Sequence, residues 1–425
     1  MLKYNRIIGI IGLGYVGLSL AYLSQKSFKT FGFDIDKKKI DKLNNKISYI
    51  NDIDFNKNKF NFKKSFFPTS DFKKLILCDY IIICVPTPLK KDNKTPDTSF
   101  ITKIINEISK IDYKEKTIVL ESTSWPGTTK ELIITKLEKK NLICGKDFYV
   151  CFSPERINPG DDYDKYIKTP KIVGAEDKNS LNKGLYFYKK IFKKIIIASS
   201  CSVAEASKLY ENTFRSINIS FANELKYILK DLKIDIWEVI DICKTKPFGF
   251  IPFYPGAGIG GHCIPIDPLY LLWKLKKEKL SSKVINLTTK INESIPYKIV
   301  KIIKKEIKKS KLSILILGIS YKKNINDLRE SAALKIMKLF RKNKINFKYH
   351  DKFFNNIKLK FNTDIQNRSM KITKKNLSKF DGVLLITDHD KVNYDYIFKN
   401  SKNIFDTKNL VLKKYPKYSY KTIKL

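Results

Sequence analysis

The stretch from Arg6 to Gly17, RIIGIIGLGYVG, limits the possible folds more than any other. An apolar run ends in Gly12-Leu13-Gly14-Tyr15-Val16-Gly17, and a helical pattern continues through Leu20 and Leu23. A strand that turns this sharply into a helix needs glycine where a Cβ would collide. The helix N-terminus it exposes suits a pyrophosphate. A second strand, Thr30 to Phe33, ends in Asp34, where a carboxylate binds a ribose diol and repels the extra phosphate of NADP. Strand, turn, helix and acid in register predict a Rossmann-like unit that binds NAD through Gly12, Gly14, Tyr15, Val16, Gly17 and Asp34.

The same unit continues with two buried strands. One runs from Asp79 into Cys84-Val85-Pro86-Thr87-Pro88, the other from Thr117 into Glu121-Ser122-Thr123-Ser124 and Pro126-Gly127-Thr128-Thr129. Both finish in proline and small hydroxylic residues at the C-terminal edge, where open α/β sheets bind ligands. This edge marks Pro86, Thr87 and Thr123 as cofactor contacts. A further strand, Phe148 to Phe152, leads into Ser153-Pro154-Glu155-Arg156-Ile157-Asn158-Pro159-Gly160. An acid and an arginine between two prolines read as a fixed site loop, with a plain turn as the alternative.

From Ser202 to about Leu232 the pattern is helical, and Ala204, Leu209, Phe214, Ile217, Phe221 and Leu225 read as its buried face. Lys208 and Asn212, four apart, share one side of that helix, as a surface pair or as site residues. A helix of about 30 residues is long enough to link two domains and to pack against a partner subunit.

Four glycines then fall within six residues in Pro255-Gly256-Ala257-Gly258-Ile259-Gly260-Gly261-His262-Cys263-Ile264-Pro265-Ile266-Asp267-Pro268. Such density implies backbone conformations or approaches that a Cβ would block. The two later prolines read as stiffening the segment after Cys263 rather than letting it coil. Two readings follow: a thiol displayed as a nucleophile beside bare N–H groups, or a surface loop with an incidental cysteine.

A second α/β unit begins at Ser313 to Gly318, with Lys322 and Arg329 beyond its first strand, suited to a diphosphate. Phe347 to Asp351 and Asp381 to Thr387 parallel the strands of the first half.

Composition narrows the classes. The formal charge of +41 points to nucleic acid or an anionic membrane at first sight. Only six basic residues are arginine, however, so 83 − 6 = 77 are lysines spread along the whole chain. That spread reads as a solvated lysine surface under codon bias, with no nucleic acid and no membrane as partners. Seven scattered cysteines without CxxC spacing predict a reduced, cytoplasmic chain with no zinc site. The strand-like start at Arg6 predicts no signal peptide.

Across nearly the whole chain the strings GLGYVG, VPTP, EST…PGTT, SPERINPGD, AEASKLYENTFRSINISFANE, GAGIGGHCIPIDP, GISYKKNINDLRES and FDTKN resemble the nucleotide-sugar 6-dehydrogenases. The resemblance implies an α/β fold of two Rossmann-like domains joined by a central helical dimerisation region: 1–200 for NAD, 201–305 carrying the cysteine loop, and 306–425 for the UDP-sugar. It implies oxidation of the sugar C6 alcohol to a carboxylate with two NAD⁺, in a homodimer or higher homo-oligomer. Cys263 is then the nucleophile, Lys208 and Asn212 stabilise oxygen anions, Asp267 and Thr123 order water, and Glu155 serves hydrolysis. Glu155, Arg156, Lys208, Asn212, Gly260, Lys322 and Arg329 are the implied substrate contacts.

Three positions depart from the family pattern. Asn158-Pro159 stand where a second acid is expected, Ile266 where a basic residue is common, and Lys408 where arginine is usual. The HCIP and ERINPG strings look closest to the branch that handles 2-acetamido sugars, UDP-N-acetylglucosamine first. UDP-N-acetylmannosamine, UDP-N-acetylgalactosamine and UDP-glucose are the rivals. A two-electron Rossmann dehydrogenase, which needs no cysteine, is the rival of a different class; a nucleic-acid-binding protein is the third.

Overall fold

The computed structural model describes residues 6–50, 53, 55, 60–90, 92, 94–157, 163–360 and 364–425. The chain divides into two compact units, Met1–Glu211 with Leu269–Leu280, and Asn212–Pro268 with Ser281–Leu425.

The first unit is built on eight strands: β1 (Ile7–Ile11), β2 (Lys29–Phe33), β3 (Phe66–Thr69), β4 (Tyr80–Ile83), β5 (Thr117–Leu120), β6 (Tyr149–Phe152), β7 (Lys171–Ala175) and β8 (Ile195–Ala198). Their order is β3-β2-β1-β4-β5-β6-β7-β8, and every pair is parallel except β6 with β7. A parallel sheet is covered on both faces, so its strands are apolar throughout, and alternate residues serve opposite cores. In β4, Tyr80 and Ile82 join one core with Ile8, Ile10 and Leu18. Ile81 and Ile83 join the other with Ile105, Ile118 and Leu120. The loops at the C-terminal edge are thereby held on rigid strand ends.

The second unit has β9 (Ser313–Leu317), β10 (Asn346–His350), the antiparallel hairpin β11 (Asn356–Lys360) and β12 (Asp364–Arg368), then β13 (Gly382–Leu385), β14 (Ile404–Asp406) and β15 (Thr422–Lys424). Its sheet runs β10-β9-β13-β14-β15, parallel throughout. This is the second Rossmann-like sheet expected from the strand repeats. Among the described residues no helix is long and apolar enough to cross a membrane.

The long helix spans Cys201–Asp231. Its covered face is only partly the expected one. Glu205, Leu209, Asn212, Ser216, Ser220 and Asn223, spaced every three to four residues, are buried. Phe214 and Phe221, expected inside, are 41% and 58% exposed, on the same stripe as Tyr210 and Ile228. Ala204 and Leu209 are buried as expected, while Ile217 and Leu225 are half-buried. Helical spacing sorts residues onto faces, but what covers each face is decided by neighbouring elements. Here those elements take the small polar stripe.

Candidate active site

The glycine turn has the geometry a pyrophosphate needs. Gly12 has φ +91°, and a Cβ there would lie 2.7 Å from the Cys84 carbonyl oxygen. A Cβ on Gly17 would come within 2.0 Å of the Gly12 carbonyl oxygen, so only glycine lets the helix Tyr15–Ser24 start this close to β1. At Gly14 a Cβ would meet nothing within 4 Å, which leaves open space directly over the helix N-terminus. Tyr15 and Val16 are half-buried beside it.

Asp34 is buried at the end of β2 and accepts from the Leu13 N–H (3.0 Å) and the Asp36 N–H (2.9 Å). The Lys39 ammonium sits 3.2 Å from it. A groove of about 630 Å³ beside Ile35, Phe72 and Ile104 offers an apolar slot for a planar base, which the sequence reading had not found. Pro86 is exposed and Thr87 buried, its carbonyl accepting from the Tyr270 hydroxyl at 2.8 Å. Open turn, ribose-side carboxylate and apolar slot together fit a dinucleotide.

Farther along the same sheet edge, Thr123 lies half-buried just past β5. The loop beyond it is pinned by Glu205, whose carboxylate accepts from Gly127 N–H (2.6 Å), Thr129 N–H (2.8 Å) and the Thr129 hydroxyl (2.6 Å). Burial holds that carboxyl up at about 7.

Glu155, buried past β6, accepts from the Tyr166 hydroxyl (2.6 Å) and the Ile157 N–H. Lys208 donates its ammonium to the Glu155 backbone carbonyl, which brings two of the expected site residues together. Arg156 is tied to the Pro170 carbonyl (2.8 Å) and to Glu211 (2.5 Å). Asn158 and Pro159 lie outside the described residues.

Beneath this loop, and unforeseen from sequence, Lys171 is fully buried and bonds Glu121 at 3.0 Å. In a lysine-rich chain one lysine at the head of a strand carries no signal of its own.

In the second unit the cysteine loop folds as its glycines require. A Cβ on Gly260 would lie 2.7 Å from Tyr321 Cβ, and one on Gly261, at φ +90°, would lie 2.8 Å from the Tyr321 ring. The loop N–H groups are not all bare. Gly256 donates to Asn223 Oδ1 (2.9 Å) and Gly261 to the Arg329 carbonyl (2.9 Å). None of the seven cysteines forms a disulfide, and of the seven Cys263 is the exposed one.

The segment after Cys263 does coil. The Ile266 and Asp267 N–H groups both return to the Cys263 carbonyl, and a helix starts at Asp267, Asp267–Lys277. Proline tolerates a first helical turn because its missing N–H has no partner there anyway. Asp267, 2% exposed, accepts from Asn212 Nδ2 at 2.6 Å, bringing two expected site residues into contact.

His262 is kept largely neutral by burial and by the nearby Arg329 charge. Arg329 itself is held in a bidentate pair with Asp327, its Nη2 donating to Oδ2 (2.7 Å) and its Nε to Oδ1 (3.1 Å). Lys322 is half-buried beyond β9. Lys408 stands beside the glycine loop, its Nζ 3.8 Å from where a Gly256 Cβ would be, and burial lowers its pKa.

A dinucleotide turn, a second nucleotide-type sheet and a lone displayed cysteine on a glycine loop define an NAD-dependent dehydrogenase of nucleotide-linked sugars. Comparison with known proteins makes this specific. Residues 6–196, 202–294 and 315–413 match the NAD binding, central and UDP binding domains of the UDP-glucose/GDP-mannose dehydrogenase family, and the chain belongs to that family. It is 35% identical over 421 residues to Protein CapL of Staphylococcus aureus, covering 96% of both chains. It is 34% identical over 344 residues to the UDP-N-acetyl-D-glucosamine 6-dehydrogenase of Salmonella typhi, covering 78% of each. A solved UDP-N-acetylmannosamine dehydrogenase from Pyrococcus horikoshii superposes with a TM-score of 0.85 at 29% identity, over 95% of this chain and 96% of that one.

Proposed function

We propose that the chain oxidises the C6 hydroxyl of a UDP-N-acetylhexosamine, UDP-N-acetylglucosamine first, to the uronate for surface polysaccharide synthesis. The observation that carries this is Cys263, the one exposed thiol of seven, followed by an Asp267 carboxylate held by Asn212. Bound NAD supplies the hydride acceptor in each of the two oxidations.

The chain's residues do the rest. After the first oxidation, the Cys263 thiolate bonds the C6 aldehyde carbon, and the oxygen takes up a proton as a thiohemiacetal. Loss of that proton and of the C6 hydride leaves a thioester. Water then adds to the acyl carbon, gives a proton to Glu155 and expels Cys263 as thiolate. Lys208 and Asn212 stabilise the oxygen anions, while Thr123 and Asp267 order water. Gly260, Arg156, Lys322 and Arg329 serve the nucleotide-sugar.

A second substrate, UDP-N-acetylmannosamine, is favoured by the likeness to the Pyrococcus enzyme over nearly its whole length. We retain the division into segments 1–200, 201–305 and 306–425, and a cytoplasmic location. A homodimer formed through the long helix is supported by its exposed apolar stripe, Tyr210, Phe214, Phe221 and Ile228.

A panel of UDP-sugars with NAD⁺ tests the reading. Two NADH per sugar and a carboxylate product are expected, with an acetamido sugar turned over fastest. One NADH per substrate would return the chain to the two-electron dehydrogenases.

A further inference from the structure

Among the described residues Lys171 and Lys226 are the lysines buried as whole residues. Lys171 opens β7 and is enclosed by the ends of two neighbouring strands. Its ammonium donates to Glu121 Oε2, directly after β5 (3.0 Å), and to the Pro154 carbonyl, two residues after β6 (3.2 Å). The same ammonium lies 3.8 Å from Glu155 Oε2, an ion pair rather than a hydrogen bond. Glu121 is 1% exposed and takes a further bond from the Tyr188 hydroxyl.

Two carboxylates and one ammonium are therefore desolvated together, an arrangement that stability alone would replace with apolar side chains. What the cluster does accomplish is mechanical and electrostatic. It ties the strand end that carries Thr123, two residues past Glu121, to the loop that carries Glu155. It also surrounds Glu155 with donors. Of the roughly four lone-pair sites of that carboxylate, the Tyr166 hydroxyl and the Ile157 N–H occupy two, and the Lys171 charge stands 3.8 Å away.

We propose that Lys171 is a positioning residue for the hydrolytic step, holding Glu155 in place as an oriented anion, with Glu121 as the counter-ion that keeps Lys171 charged. The inference rests on the reading of Glu155 given under Proposed function. The balance of charge in the cluster explains how it acts. Burial pushes Glu121 up to about 7 while Lys171 pulls it down, and the two carboxylates hold the Lys171 pKa above its ordinary value. The other titratable groups facing the cluster, the Tyr166 and Tyr188 hydroxyls and the Cys84 thiol, are raised by burial and stay neutral. The Lys208 ammonium sits on the Glu155 carbonyl. When Glu121 gains a proton, Lys171 loses its counter-ion, and the tie it makes between the two strand ends weakens.

The test uses the full chain with Lys171→Met, Lys171→Arg, Glu121→Gln and Glu155→Gln, following steady-state rates and intact-protein mass during turnover of an acetamido UDP-sugar with NAD⁺. Lys171→Met is expected to lower kcat at least tenfold, accumulate the sugar–protein thioester and leave KM and NAD⁺ affinity within twofold. Lys171→Arg recovers most of kcat. Wild-type hydrolysis rises with pH through about 7, and Glu121→Gln flattens that rise at the slow, low-pH level. Should Lys171→Met fail to fold, the near-isosteric Glu121→Gln carries the test. Unchanged kcat, or kcat, KM and NAD⁺ affinity falling together without adduct, overturns the inference. If Glu155→Gln accumulates adduct and Lys171→Met does not, only the inference falls. If Glu155→Gln turns over at the wild-type rate, the reading of Glu155 fails and the inference goes with it.

Discussion

The glycine turn yields a prediction in which two neighbouring substitutions separate folding from cofactor binding. In Gly17→Ala the new Cβ would lie 2.0 Å from the Gly12 carbonyl oxygen, where real contacts do not fall below 3.0 Å. The helix start must therefore retreat by about 1 Å, and its first N–H groups with it. Each charge-assisted hydrogen bond to a pyrophosphate contributes about 1.5–3 kcal/mol. Losing two amounts to about 3–6 kcal/mol, or roughly 10²- to 10⁴-fold in Kd for NAD⁺. Because the strain is internal, the melting temperature should fall as well.

Gly14→Ala is the contrast. Its backbone has φ −73°, which alanine accepts, and its Cβ would meet nothing within 4 Å. The fold should be untouched, and any loss of NAD⁺ affinity must come from the cofactor meeting the methyl group. Isothermal titration calorimetry with NAD⁺ and thermal unfolding on both variants decide the matter. If Gly17→Ala binds NAD⁺ within about threefold of wild type, or if Gly14→Ala loses stability but not affinity, the assignment of this turn is wrong.

Cys263→Ala should abolish net formation of carboxylate, whereas Cys263→Ser should retain a stable sugar ester on the protein, read as a mass increment on the peptide containing position 263. Asn212→Ala removes a 2.6 Å donor from buried Asp267 and should lower kcat about tenfold or more, with NAD⁺ affinity unchanged. Glu205 has its folded pKa raised to about 7. Its contribution to stability is therefore complete below its ordinary value of 4.5 and lost as pH rises through about 7. Melting temperatures from pH 5 to 8 should show that decline in the wild type and a flatter profile in Glu205→Gln. Phe221→Glu, placed on the exposed apolar stripe, should shift a dimer toward monomer in light scattering; an unchanged mass removes that helix from the interface.

The elements set by local pattern were legible in the sequence. β1, β2, β4, β5 and β9 fall where apolar runs meet glycine, proline or acid, and the long helix Cys201–Asp231 matches the predicted span to within a residue or two. The glycine turns of the cysteine loop were legible for the same reason, because glycine acts on its own backbone. Its prolines, read as keeping the segment from coiling, fall in a turn that leads into the helix Asp267–Lys277. Which face of the long helix is covered was not legible. Its polar and apolar stripes have the same period, and only the packing of other elements chose the stripe of Asn212 and Ser216 for burial. The Lys171 cluster was likewise invisible. Its partners Glu121 and Glu155 are 50 and 16 positions away, and they meet because β7 pairs with β6 and β6 with β5. Spacing within one segment reports on that segment's own backbone, but a contact between strand ends exists only once the sheet order is set. That order is the step at which Lys171 left the solvent.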